Sequence, residues 1–168
     1  FKLIRWKNVL ILFSTLLFLW WVLIKRVADI TLKEPFLRLD YFLALALSTL
    51  SIMAAGNIIN DYLDVKIDLR NKPERVVIGT IISKRWAIAL HSILNIIGIS
   101  IAAYIGDQLG NPYLVVMQLS CTFLLWIYST HFKRMYIVGN FVVACLTGFS
   151  VLLLLFYEPM LISYLKSP

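Results

Sequence analysis

Asn60, Asp61, Asp64 and Asp68 fall on one face of any helix that carries them. At about 100° of rotation per residue, Asn57 and these four share an arc of roughly 100°. Carboxylates stacked in this way repel one another and require a cation between them. Hard oxygen donors, about one carboxylate per turn, suit Mg²⁺, which takes few protein ligands and completes its shell with waters and substrate phosphates. The expectation is a metal site built from Asn60, Asp61, Asp64 and Asp68. A polar helix end beyond the lipid is the plainer reading, and it explains a lone aspartate better than this one-sided set.

Bases follow the acids. Lys66, Lys72 or Arg75 could neutralise an anion that a metal bridges to the carboxylates. Arg70, Lys84 and Arg85 fit a patch that meets anionic lipid headgroups. A second polar island, Tyr128-Ser129-Thr130-His131-Phe132-Lys133-Arg134, either anchors two spans at the interface or completes a diphosphate site. His131 reads as a polar loop residue, and His91 as a mid-span hydrogen-bonding partner of a neighbouring helix. Asn140 and Thr147, with Gly139 and Gly148 nearby, read as a close-packing surface, with a cavity lining as the alternative. Cys121 and Cys145 read as small buried apolar side chains without disulfide or metal spacing.

The elements that must position these groups are membrane helices. The chain has 168 residues, of which 61% are hydrophobic and 15% charged, and its mean hydropathy is +0.85. That balance excludes an ordinary soluble globule. Five apolar runs are long enough to span a bilayer, at 9–24, 39–59, 86–105, 113–129 and 137–157. No strand alternation competes, so the fold class is all-α, a polytopic transmembrane helical bundle. The first and fourth runs are short and need aromatic ends such as Trp20, Trp21, Tyr113 and Trp126 to reach the interface.

Asn71-Lys72-Pro73 must end the acidic helix, because proline lacks a donor and biases its predecessor away from the α region. Ser83 is the expected N-cap of the third span. Gly106-Asp107 and Asn111-Pro112 are expected in the turn after it. The net charge of +7 is a membrane signal here and not a nucleic-acid signal, since the bases sort by loop. Lys2, Arg5, Lys7, Lys66, Arg70, Lys72, Arg75, Lys84, Arg85, Lys133 and Arg134 lie on one side of the membrane. Only Lys25, Arg26, Lys33, Arg38 and Lys166 lie on the other. The positive-inside rule then places the N-terminus and the acidic motif in the cytoplasm.

Asn60-Asp61-x-x-Asp64-x-x-x-Asp68, the basic loop and Gly79 together resemble the first signature of the UbiA superfamily of membrane prenyltransferases. Tyr128-Ser129 through Lys133-Arg134, Gly139-Asn140 and Leu146-Thr147-Gly148 are similar to that family's region after its fourth helix, and Arg5-x-x-Asn8 to its N-terminal motif. Two departures stand: Arg75-Val76-Val77 replaces the usual Arg-Pro-Leu, and the Tyr-to-Lys spacing is one residue longer. The resemblance implies Mg²⁺ held by Asn60, Asp64 and Asp68, with Asp61 binding directly or in support. It also implies a prenyl diphosphate gripped by Arg75, Lys133, Arg134, Lys72 and Tyr128, and transfer of the prenyl group to a lipophilic acceptor. Because the family carries a second acidic motif in a bundle of about nine spans, residues 1–168 read as an N-terminal part that does not turn over alone.

The run Gly56–Asp68 with Asn71-Lys72-Pro73 and Val76–Gly79 is most similar to members that prenylate geranylgeranylglycerol phosphate. Aromatic-acceptor relatives of quinone biosynthesis are the alternative. A non-catalytic membrane interaction subunit with a structural metal is the reading from another class. CDP-alcohol phosphotransferases need a glycine directly after an aspartate, where this chain has Val65. A transporter would place its acids mid-bilayer. The expected partners are membrane lipid, a prenyl diphosphate and its acceptor, with no nucleic acid.

Overall fold

The computed structural model describes residues 3–166, apart from the side chains of Arg75, Arg134, Tyr136, Leu165 and Lys166. Helix α1 (Trp6–Leu19) continues through a π-helical segment (Trp20–Lys25) into α2 (Arg26–Thr31). Helices α3 (Leu39–Asn71), α4 (Lys84–Gln108), α5 (Val115–Thr130) and α6 (Tyr136–Phe156) follow, and α7 (Pro159–Lys166) is a short final helix. Five helical stretches are long and apolar enough to cross a membrane. Leucine, isoleucine, phenylalanine and tryptophan side chains are exposed along all of them, as lipid contact requires.

The first span is longer than its apolar run implied. Trp6–Thr31 forms one stretch of 26 residues, because the π-helical segment keeps the helix going past Ile24. Trp20 is held against the start of α3. Its Nε1 donates to the Leu37 carbonyl at 2.7 Å, and its ring stacks on Phe42 at 5.1 Å. Gly106 and Asp107 are likewise not in the turn but in the last turns of α4, and the reversal falls on Gly110–Pro112. Cys121 is buried as expected, whereas Cys145 is exposed on α6.

Helix α3 is the central post. In its most apolar stretch 61% of residues are buried, against 11–22% in the other four spans. Its 33 residues extend about 50 Å, well beyond the roughly 30 Å hydrocarbon core. Its last turns, which bear the acids, therefore project past the lipid. The helix ends at Asn71, just ahead of Pro73. Small residues bring α3 and α4 close: Ser48 Oγ donates to the Gly98 carbonyl at 2.6 Å. His91 Nδ1 donates to the Ala55 carbonyl at 2.9 Å, the cross-helix bond expected of it. Ser83 caps α4, accepting from the Trp86 N–H. At the opposite end, buried Glu158 accepts from the Leu37 and Met160 N–H groups and ties the α2–α3 connection to α7.

Candidate active site

The polar face of α3 is divided between two bases, one from each flank. On one flank Lys133 forms an ion pair with Asp64, and its Nζ donates to Asn60 Oδ1 at 3.2 Å. On the other, Arg5 Nη2 donates to Asp61 Oδ1 at 2.7 Å. The wheel geometry explains this division, since Asn60 and Asp61 stand at opposite edges of the arc.

Local structure delivers each base. Lys133 sits in the 3₁₀ turn Phe132–Arg134, which folds back onto the first turn of α6. Gly139 makes that approach possible, because a Cβ there would lie 2.8 Å from the Phe132 carbonyl oxygen. Arg5 is the residue preceding α1, and its backbone is left-handed at φ 50°. For a non-glycine residue that costs about 1–2 kcal/mol, and strain of this kind persists where the surroundings fix it. The Asp61 contact and the Asn57 Nδ2 bond to the Ile4 carbonyl at 3.1 Å are part of what fixes it.

Two cavities meet at this face. The first, about 630 Å³, carries the charged and polar side chains Arg5, Lys7, Asn8, Asp61, Asp68 and Lys72 among apolar ones from Leu3, Trp6, Val65 and Val76–Ile78. The second, about 470 Å³, runs between α1, α3, α5 and α6 and is mostly apolar. Arg5 and Asn8 line both, so the two spaces adjoin there. Tyr128 and Thr147 line the second, which places Thr147 on a cavity wall and not in a packed helix contact. Gly148 agrees, since a Cβ there would meet nothing within 4 Å.

The expected site residues therefore come together in two groups, Asp61, Asp68 and Lys72 about the polar cavity and Asn60, Asp64 and Lys133 beside it. The side chains of Arg75 and Arg134 lie outside the described residues. Among the described residues no three histidine, cysteine or carboxylate side chains converge as a ready metal cluster. The donor set is still of the right chemistry for a hard divalent cation, one that would draw on waters and phosphate oxygens to complete its shell. His131 is exposed, and its Nδ1 pairs with the hydroxyl of its neighbour Thr130 at 2.8 Å. Sequence reasoning left Arg5, Asn8 and Asn57 out of the diphosphate and metal set. The spacing Arg5-x-x-Asn8 was the available signal.

Comparison with known proteins identifies the family. The chain is 36% identical over 115 residues to the digeranylgeranylglyceryl phosphate synthase of Methanothermobacter thermautotrophicus, covering 67% of this chain and 39% of that protein. It is 34% identical over 122 residues to the synthase of the same name from Methanoculleus marisnigri, covering 73% of this chain and 40% of that one. A solved structure described as giving insights into digeranylgeranylglyceryl phosphate synthase in membranes superposes with a TM-score of 0.74 at 26% identity, over 90% of this chain and 50% of that one. The chain thus spans between two fifths and half of the length of the relatives it matches. Residues 11–160 match the model of the UbiA prenyltransferase family, and the chain belongs to that family.

Proposed function

We propose that this chain forms the donor-binding half of an enzyme that transfers a prenyl group from geranylgeranyl diphosphate to geranylgeranylglyceryl phosphate. The observation that carries the reading is the junction of a charge-bearing cavity with a mostly apolar one at Arg5 and Asn8. An allylic diphosphate is amphiphilic in the same sense, with a charged head and a hydrocarbon tail. The names of the similar proteins favour a glycerol-phosphate lipid over an aromatic acceptor.

In this reading Arg5, Lys72 and Lys133 bind the diphosphate, with Arg75 and Arg134 as further candidates on the same loops. Charge-assisted bonds to phosphate are the stronger kind, and Lys133 would exchange its contacts with Asp64 and Asn60 for phosphate oxygens. Asn60, Asp61, Asp64 and Asp68 would hold Mg²⁺, which stabilises the negative charge of the leaving diphosphate when bound. The apolar walls keep water from the reacting carbon, and Tyr128 stands at the boundary of head and tail. The donor C–O bond breaks with its electron pair leaving on the diphosphate. The acceptor hydroxyl oxygen then bonds the allylic carbon and loses its proton. The distribution of loop bases favours a cytoplasmic motif.

The test is product formation by the natural protein in membranes supplied with labelled geranylgeranyl diphosphate and either geranylgeranylglyceryl phosphate or a phenolic acid. The expected product is the diether from the first acceptor. Labelled phenol alone would overturn the acceptor assignment. Retention of all label in the donor would overturn prenyl transfer itself.

A further inference from the structure

Among the described residues, Lys7 is the cation lining the charge-bearing cavity that the donor reading leaves unused. Its surroundings set it apart from the other bases. Arg5 pairs with Asp61 and Lys133 with Asp64, so both stand on the acidic face of α3. Lys72 follows the end of α3, beyond Asp68 and on the side given to the donor. Lys7 lies in the first turn of α1. Among the described residues it pairs with no carboxylate, and the amide of Asn8 beside it has no side-chain hydrogen bond. Both residues are exposed and line the cavity, so a solute reaches them.

Their place on α1 is informative. Asn8, Ile11, Leu12 and Thr15 all line the mostly apolar cavity, and their spacing makes one helix face. Lys7 stands one residue ahead of the top of that face and lines only the charge-bearing space. That is where the charged head of a lipid meets its tail.

The acceptor in the reading above brings a second charged head. Its glycerol carries a phosphate monoester and a free hydroxyl four or five bonds apart, roughly 5–6 Å at about 1.25 Å of advance per bond. The hydroxyl has to reach the allylic carbon, which is itself bonded to the diphosphate. The two phosphate groups are therefore held within a few ångströms of each other, and two anions at that distance repel unless each has a cation. The metal and the bases about α3 serve the diphosphate. Lys7 supplies a separate point charge of the kind that binds phosphate, and Asn8 an N–H donor.

We propose that Lys7 is a specificity-determining residue for the acceptor: its ammonium, with the Asn8 amide beside it, binds the phosphate monoester of a glycerol-phosphate lipid and selects that class over acceptors without a phosphate. This rests on the function proposed above.

The test measures binding to the natural membrane protein at saturating Mg²⁺. A non-reactive geranylgeranyl diphosphate analogue is titrated first. Geranylgeranylglyceryl phosphate, or geranylgeranylglycerol without the phosphate, is titrated onto the analogue complex. The wild type is expected to bind the phosphate lipid about tenfold more tightly than the alcohol. Lys7→Gln should lose most of that ratio by weakening the phosphate lipid alone, and Lys7→Arg should keep it. Donor affinity should stay within twofold in both variants, and a wild-type unfolding temperature reports that each is folded. Equal binding of the two lipids by the wild type overturns the proposal. So does a wild-type ratio in folded Lys7→Gln, or a loss of donor affinity as large as the loss for the phosphate lipid. Should Lys7→Gln fail to fold, Asn8→Asp sets a negative charge beside the phosphate, and an unaltered ratio there overturns the proposal in the same way. A wild type that binds the donor analogue and neither lipid overturns the acceptor reading. One that binds no donor analogue overturns prenyl transfer, and the Lys7 role falls with either.

Discussion

Replacing Lys133 with methionine should move two affinities in opposite directions. In the ligand-free protein its ammonium is divided between Asp64 and Asn60, both also expected to hold metal. The Lys133 and Asp64 side chains are only 17% and 20% exposed, so solvent screens the pair weakly. A hydrogen bond to a charged group is worth about 1.5–3 kcal/mol. Metal binding at Asp64 has to overcome that contact. Lys133→Met removes the competitor, so Mg²⁺ affinity without donor should rise by about tenfold, the lower end of that range. In the proposed donor complex the lysine would be a phosphate ligand, and its loss should weaken diphosphate binding by about ten- to a hundredfold. Lys133→Arg keeps the charge and should preserve most of the donor affinity. Calorimetric titration in lipid nanodiscs, first with Mg²⁺ alone and then with a non-reactive geranylgeranyl diphosphate analogue at saturating Mg²⁺, reads both quantities. If both affinities fall together, or if Mg²⁺ binding is indifferent to the substitution, Lys133 does not guard the carboxylates.

Further outcomes follow from other contacts. Gly98→Ala places a Cβ 2.7 Å from Ile52 Cγ1 and 2.9 Å from the Ser48 carbonyl oxygen. Overpacking of this kind costs about 1–3 kcal/mol, so a thermal scan should show a clear fall in Tm. Gly148→Ala, with nothing within 4 Å, should leave Tm where it is. Arg5→Gln should change stability little, because exposed ion pairs contribute about 0–1 kcal/mol and the Arg5 side chain is 46% exposed. The same substitution should weaken diphosphate binding by about tenfold, as measured by analogue titration.

The five spans were legible because a helix in lipid must be apolar along its whole length, and the break at Pro73 and the cap at Ser83 because each has a local cause. The one-sided acidic face was legible because helical periodicity alone sets it. The partner of each acid was not. Arg5 meets Asp61 across 56 residues of sequence, and Lys133 meets Asn60 across 73. Angular spacing on one helix cannot say which neighbour stands at which edge of the arc. The partner of Trp20 was not legible either, since its bond to the Leu37 carbonyl crosses 17 residues. Cys145 was misplaced because an apolar run does not reveal which side faces lipid.

The central claim is that the acids of α3 bind a prenyl diphosphate through a divalent cation. Its most direct test compares binding of a geranylgeranyl diphosphate analogue, with and without Mg²⁺, by wild type, Asp64→Asn and Asp68→Asn. Binding should require Mg²⁺ in the wild type and fall by tenfold or more in each variant. Equal binding with and without Mg²⁺ in all three proteins would remove the acids from the site and contradict the account.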